Sequence, residues 1–271
     1  MPVRLDQALV ARGLARSRTH AATLIAEGKV SSDGKVLAKA SLQVDEDRDL
    51  AVEHDDQDTY ASRAGHKLAG ALDAFPGITA EGKRCLDAGA STGGFTDVLL
   101  RRGAAHVVAV DVGHGQLVPH LRSDPRVSVH EGMNVRYMVP GDIGGQAALT
   151  VADLSFISLT LVVQALAGCT EPGGDLVLMV KPQFEIGKDR LGRTGVVTSE
   201  RERRLAVHKV ATAALDAGLD LHGLAVSPLP GQDGNVEYFL WIRRRITQDL
   251  PKIEEREAAA AALLGQIWPN H

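Results

Sequence analysis

The sequence predicts an α/β fold with a mostly parallel sheet, preceded by a small α+β unit. Three observations carry this. From residue 63 onward, apolar runs of four to six residues alternate with helical stretches, the pattern of buried parallel strands joined by helices. A glycine-rich turn follows the first of these runs and opens a helix. Charge reverses abruptly before that: residues 1–40 carry seven basic against three acidic groups, and residues 41–60 one basic against eight acidic. Such a break, ending in Glu53-His54-Asp55-Asp56-Gln57-Asp58, marks a domain boundary near residue 60. The expected division is 1–59, a linker at 60–64, a main domain at 65–250 and a helical tail at 251–271.

In the first unit, Leu5, Ala8, Leu9 and Arg12 repeat at helical spacing, and Gly13 can stop that helix. Ser17 is an N-cap candidate for a second helix over 18–27, with Gly28 as its stop. Lys29 to Ser32 and Lys35 to Leu37 flank Asp33-Gly34, a two-residue hairpin signal. A last strand falls near Asp49 to Val52.

In the second unit, Arg84–Asp87, Val107–Asp111, Leu149–Asp153 and Leu176–Lys181 read as buried parallel strands. Tyr238–Ile242 reads as a late strand. Gly94–Arg102 and Ser199–Ala217 read as helices, and the Glu/Ala-rich tail from Ile253 to Ile267 as another.

Composition narrows the function. Cys85 and Cys169 are far apart and in no CxxC pair, so both read as buried thiols in a reducing cytoplasm. No apolar stretch has signal-peptide or membrane-span character, and no histidine pattern has metal-ligand spacing. A formal net charge of −4 and 4% aromatics speak against a nucleic-acid binder built on stacking. The net charge is an average over opposed segments, however. Positive charge collects in residues 1–40, between Lys181 and Arg204, and at Arg243-Arg244-Arg245.

The turn Asp87-Ala88-Gly89-Ala90-Ser91-Thr92-Gly93-Gly94-Phe95 lets a ligand approach the backbone closely. Asp111 ends the next strand, where an acid can hold ribose hydroxyls. The spacing is neither GxGxxG nor GxxxxGK[ST], which disfavours dinucleotides and nucleoside triphosphates. It fits S-adenosylmethionine, which has no phosphate to cradle. Asp87, Gly89 to Phe95, Asp111 and Asn134 are the candidate donor-binding residues, with Asp153 beside them.

Ligands in open α/β sheets bind beyond the carboxyl ends of the strands. Asp153 and Lys181 end two apolar runs. Glu237 precedes the late strand and reaches the same rim if that strand is antiparallel. Lys67 follows the linker. A lysine near another cation can serve as a general base, positioned by carboxylates.

Five segments resemble the TlyA family of bacterial rRNA 2′-O-methyltransferases: Ala64–Leu68, Asp87–Thr96, Asp153–Ser158, Val180–Glu185 and Gly234–Phe239. The resemblance spans nearly the whole chain. It implies an S-four-like RNA-binding domain and an FtsJ-like, class I methyltransferase domain with a seven-stranded sheet. It places the family's Lys-Asp-Lys-Glu tetrad on Lys67, Asp153, Lys181 and Glu237. It implies methylation of cytidine ribose in 23S rRNA, and the extended C-terminus favours the longer members that also modify 16S rRNA. Asp58-Thr59-Tyr60-Ala61-Ser62 does not match the Arg-x-Trp-Val-like linker of some actinobacterial members.

The expected mechanism has Lys181 take or stabilise the hydroxyl proton, Lys67 lower the pKa of Lys181 and approach a phosphate, and the two acids orient the lysines. Arg4, Arg16, Arg18, Lys29, Arg63 and Lys67 are the expected RNA contacts. The expected partner is rRNA, with no metal or membrane, for a cytoplasmic monomer. The alternatives are a non-catalytic rRNA assembly factor, a small-molecule methyltransferase, and the haemolysin label often given to the family, which the lack of a membrane-length apolar segment disfavours.

Overall fold

The computed structural model describes residues 2–15, 18–45, 48–53, 60–187, 191–192, 194–231, 233–247 and 250–269. Contacts divide the chain into two units, Met1–Thr59 and Tyr60–His271.

The first unit runs β1 (Val3–Arg4), α1 (Leu5–Ala11), α2 (Arg18–Ala26), β2 (Val30–Ser32), β3 (Lys35–Val36), β4 (Gln43–Val44) and β5 (Ala51–Val52). Strand β1 pairs antiparallel with β4, and β2 lies between β3 and β5. Asp33 (φ 51°) and Gly34 (φ 72°) are both left-handed, as a tight turn matched to strand twist requires. Leu5, Leu9, Leu24, Ile25, Val30 and Val44 close a separate small core. The N-cap candidate Ser17 lies outside the described residues.

The second unit runs α3 (Ala64–Ala74), β6 (Arg84–Ala88), α4 (Gly94–Arg101), β7 (His106–Asp111), α5 (Pro119–Arg122), β8 (Val127–Glu131), β9 (Ala147–Ala152), α6 (Val163–Gly168), β10 (Thr170–Val180), α7 (Pro182–Glu185), α8 (Glu200–Asp216), β11 (Leu219–Val226), β12 (Tyr238–Arg244) and α9 (Ile253–Gly265). The seven strands lie in the order β11-β12-β10-β9-β6-β7-β8. From β10 to β8 they are parallel, while β12 is antiparallel to both neighbours. Alternate residues face opposite layers. Leu86, Val108, Leu176 and Leu178 join the core under α6, α8 and α9, and Cys85, Val107, Val177 and Met179 join the one under α3 and α4. Coverage on both faces explains why these strands read as unbroken apolar runs.

Strands β8 and β11 are absent from the sequence reading. Both are sheet edges: every residue of β8 is partly exposed, and β11 mixes buried and exposed residues irregularly, with a break in register between Leu221 and Gly223. Residues 60–64, read as a linker, pack within the second unit. Ala61 N donates to Asp97 Oδ2 (2.8 Å), and the Arg101 guanidinium lies 5.0 Å from the centre of the Tyr60 ring. The segment beyond residue 250 also belongs to this unit, because Leu263, Leu264 and Trp268 are buried in its core.

Successive strands β6, β7 and β8 run outward in one direction, and β9 lies on the other side of β6. The switch between β6 and β9 opens a crevice at their carboxyl ends.

Candidate active site

The turn after β6 is held by its own chain. Gly89 (φ 88°) packs so closely on the carbonyl of Asp153 that an added Cβ would lie 2.7 Å from the oxygen. Ser91 N donates to Asp111 Oδ2 (2.8 Å) and Gly113 N to Asp111 Oδ1 (2.7 Å), so one carboxylate organises the loops after β6 and β7. A cavity of about 460 Å³ opens here. Gly89, Ser91, Asp111, Asn134 and Asp153 line it, and Val112, Met133 and Leu154 supply apolar wall.

Other members of the expected donor loop face inward. Ala90 and Phe95 are buried, and the Phe95 ring lies 6.2 Å from that of Phe239. Gly93 packs on Leu117 and Leu121, and Gly94 on Ser62 and Gly65. Thr92 is exposed and outside the cavity lining. Ala90, Gly93, Gly94 and Phe95 shape the turn by packing.

Asp87 is fully buried beneath the turn. Thr96 Oγ1 donates to its Oδ2 (2.6 Å), while Oδ1 finds no donor among the described residues. Burial, reinforced by the charges of Asp153 and Asp111, pushes its carboxyl up to about 7 against the pull of the Thr96 hydroxyl. Three carboxylates thus surround or underlie the cavity. That suits a ligand bearing positive charge and hydroxyl donors, and opposes a phosphate. S-adenosylmethionine, with its sulfonium, ammonium and ribose diol, fits this donor set.

The lysine–acid quartet forms two ion pairs, one between the ends of β9 and β10 and one between α3 and the start of β12. Lys181 Nζ lies 2.6 Å from Asp153 Oδ1 and donates to Ser155 Oγ (2.9 Å). Lys67 Nζ lies 2.6 Å from Glu237 Oε2, with Glu237 only 3% exposed. Register explains the convergence. Val180 pairs with Tyr238, so Lys181 and Glu237 leave β10 and enter β12 at the same rim. Ala152 pairs with both Ala88 and Leu178, which brings Asp153 beside them. Each lysine is held by a carboxylate.

Several participants had no separate sequence signal. Gln116 accepts from Ser91 Oγ (3.1 Å). Asn235 accepts from Val197 N (2.8 Å) and donates to Gly195 O (3.0 Å), bracing the segment that delivers Glu237. Phe156 is 91% exposed at φ 64°, with its ring 5.2 Å from Phe184 at the cavity rim. Nothing in the residue type announces a left-handed phenylalanine.

In the first unit, Arg4 and Arg18 both bind the buried carboxylate of Asp6, at 3.0 and 3.1 Å, yet keep exposed guanidinium surface. The Arg4 hydrogen bond leads in holding Asp6 down at about 2. Lys29 pairs with Glu27 (2.6 Å). Arg63 is exposed at the start of α3. Arg16 lies outside the described residues.

A family model described as FtsJ-like methyltransferase matches residues 60–244, and one described as S4 domain matches residues 3–50. The 16S/23S rRNA (cytidine-2'-O)-methyltransferase TlyA of Mycobacterium tuberculosis is 53% identical over 91% of this chain and 92% of its own. Hemolysin A of Brachyspira hyodysenteriae is 37% identical over 87% of this chain and 98% of its own. A solved structure of a protein called a hemolysin, from Streptococcus thermophilus, superposes with a TM-score of 0.72 at 34% identity, covering 99% of this chain and 98% of that one. Among the described residues, no helix is long and apolar enough to cross a membrane.

Proposed function

The chain belongs to the TlyA family, in which an S4 domain precedes an FtsJ-like methyltransferase domain, and from this we propose that it methylates the ribose 2′-hydroxyl of cytidine in 23S rRNA, with 16S rRNA as a second substrate. The observation that carries the reading is the Lys181–Asp153 pair at the mouth of an acidic, apolar-walled cavity. The proposed donor, S-adenosylmethionine, supplies an already activated methyl group on a sulfonium.

The protein then has to align the acceptor oxygen and remove its proton. Lys181, in its unprotonated form, receives the 2′-hydroxyl proton as the oxygen takes the methyl group and the sulfur leaves as a neutral thioether, and the Asp153 carboxylate faces the ammonium that results. Ser155 fixes the lysine's direction. Lys67, anchored by Glu237, presents its remaining donor surface to the flanking phosphate. Asp111 would hold the ribose hydroxyls of the donor, and Asp87 would supply negative charge from below the turn. Phe156 and Phe184 offer the target base an apolar face. Arg4, Arg18, Lys29 and Arg63 contribute phosphate contacts that position the RNA.

Labelled donor incubated with 23S or 16S rRNA, free or in assembled subunits, tests the reading. The parent chain is expected to label a cytidine ribose. Lys181→Ala is expected to abolish labelling while donor affinity, measured by calorimetry, stays near the parent's. Binding of rRNA without any methylation would mark an assembly factor, and normal labelling by Lys181→Ala would remove the lysine from the mechanism.

A further inference from the structure

Glu185 is a buried carboxylate to which the reaction described above gives no role. It is 3% exposed and ends α7, four residues after Lys181. Both of its oxygens are committed to the segment that leaves β9: Oε1 accepts from Leu159 N (2.7 Å) and Oε2 from Ser158 Oγ (2.5 Å). Burial raises its pKa against the pull of those two hydrogen bonds. Its own carbonyl accepts from Lys209 Nζ of α8 (3.0 Å), which fixes the end of α7 to a long helix.

The segment between residues 153 and 159 is therefore fastened at both ends. At its start, Asp153 N donates to Ala88 O (3.2 Å). At its end, Ser158 and Leu159 donate to Glu185. Between these anchors lie Asp153 and Ser155, the two partners of Lys181, and Phe156 in a left-handed conformation. A non-glycine residue held in a sparsely populated backbone region persists only where its surroundings over-determine it. The ends of β9 and β10 are joined twice: Lys181 reaches back to Asp153 and Ser155, and Glu185 reaches back to Ser158 and Leu159. The second link contains no reacting group, so its consequence falls on the geometry of the first.

We propose that Glu185 is a positioning residue, a clamp that holds the 153–159 segment so that Asp153 and Ser155 meet Lys181 and Phe156 stays at the rim. The proposal rests on Lys181 being the proton acceptor. Glutamine at this position keeps an acceptor for Leu159 N and can donate to Ser158 Oγ, whereas alanine keeps neither.

The full chain is assayed for single-turnover methylation of rRNA and for donor affinity. Glu185→Ala is expected to slow the methylation step roughly tenfold to a hundredfold, the cost of small misplacement of reacting groups, with a much smaller change in donor affinity. Glu185→Gln is expected to restore most of the rate. Ser158→Ala is expected to slow it less than Glu185→Ala, and the double variant to be no slower than Glu185→Ala alone. A parental rate for Glu185→Ala, a glutamine variant as slow as the alanine variant, or additive losses in the double variant would each overturn the clamp. Should Glu185→Ala not fold, Ser158→Ala decides: a slowed step supports the clamp and a parental rate refutes it. Lys181→Ala run in parallel separates the two failures, since an active Lys181→Ala overturns the reaction reading, while an inactive one beside a parental Glu185→Ala overturns only the clamp.

Discussion

Asp87 is the residue at which stability and function conflict most directly. Its carboxyl is pushed up to about 7 by burial, above its ordinary value near 4. The folded chain therefore holds a proton there that the unfolded chain releases, so the residue's cost to stability grows as pH rises from about 4 to about 7. Asp87→Asn removes the titration and keeps an acceptor for Thr96. Its melting temperature, relative to the parent's, is expected to rise between pH 5 and pH 8 in thermal unfolding. The same variant is expected to bind S-adenosylmethionine more weakly by calorimetry. The parent's donor affinity is expected to fall as the pH drops below about 7, because a neutral Asp87 no longer complements a cationic ligand. Phe156 shows the other side of the residue scale. A 4% aromatic content argues against an extended stacking platform, yet one exposed ring at the cavity rim needs no aromatic abundance.

The turn between β6 and α4 was legible in the sequence as an element, although its glycines do different jobs. Gly89 permits close approach of the chain beside the cavity, whereas Gly93 and Gly94 accommodate the protein's own side chains and backbone. Gly93 is left-handed (φ 99°) and has no room for a Cβ beside Leu121 and Leu117. Gly93→Ala is expected to destabilise the second unit by about 1–3 kcal/mol in urea unfolding, through backbone strain and the displaced leucines. The last helix makes a similar point. Its Glu/Ala-rich sequence reads as a helical tail, and Leu264 is 1% exposed within the main core. Leu264→Ala is expected to cost about 2–5 kcal/mol by the same measurement. Spacing alone shows helicity there. Burial depends on a partner, and α9 packs on α8 and β11, elements distant in sequence.

Across the whole molecule, a net charge of −4 conceals opposed regions. In the first unit, Asp6 gathers Arg4 and Arg18 with their guanidinium groups still exposed, so local charge carries more information than the total. Arg18→Gln combined with Lys29→Gln leaves Arg4 on Asp6. It is expected to weaken rRNA binding and flatten its dependence on salt by about one unit of logarithmic slope for each phosphate no longer neutralised. Binding assays from low to moderate salt check this, and donor affinity should be unchanged. An unaltered slope would assign those side chains a structural role only.

The sequence alone carries the α/β class, a break near residue 60, the glycine-rich turn after the first long strand, and the charged residues Asp153, Lys181 and Glu237 beside apolar runs, with Lys67 after the break. Each is a local signal: apolar period, glycine spacing, charge reversal, or an ionisable residue beside an apolar run. Which partners those residues meet was decided only by tertiary structure. Lys181 with Asp153, Lys67 with Glu237, and Glu185 with Ser158 join positions 28, 170 and 27 residues apart. Strand order and register set those meetings, and both arise from the cooperative burial of two sheet faces. The edge strands β8 and β11 escaped the sequence reading for a related reason. Half exposed, they carry weak apolar patterns, and their place follows from the strands already assembled beside them.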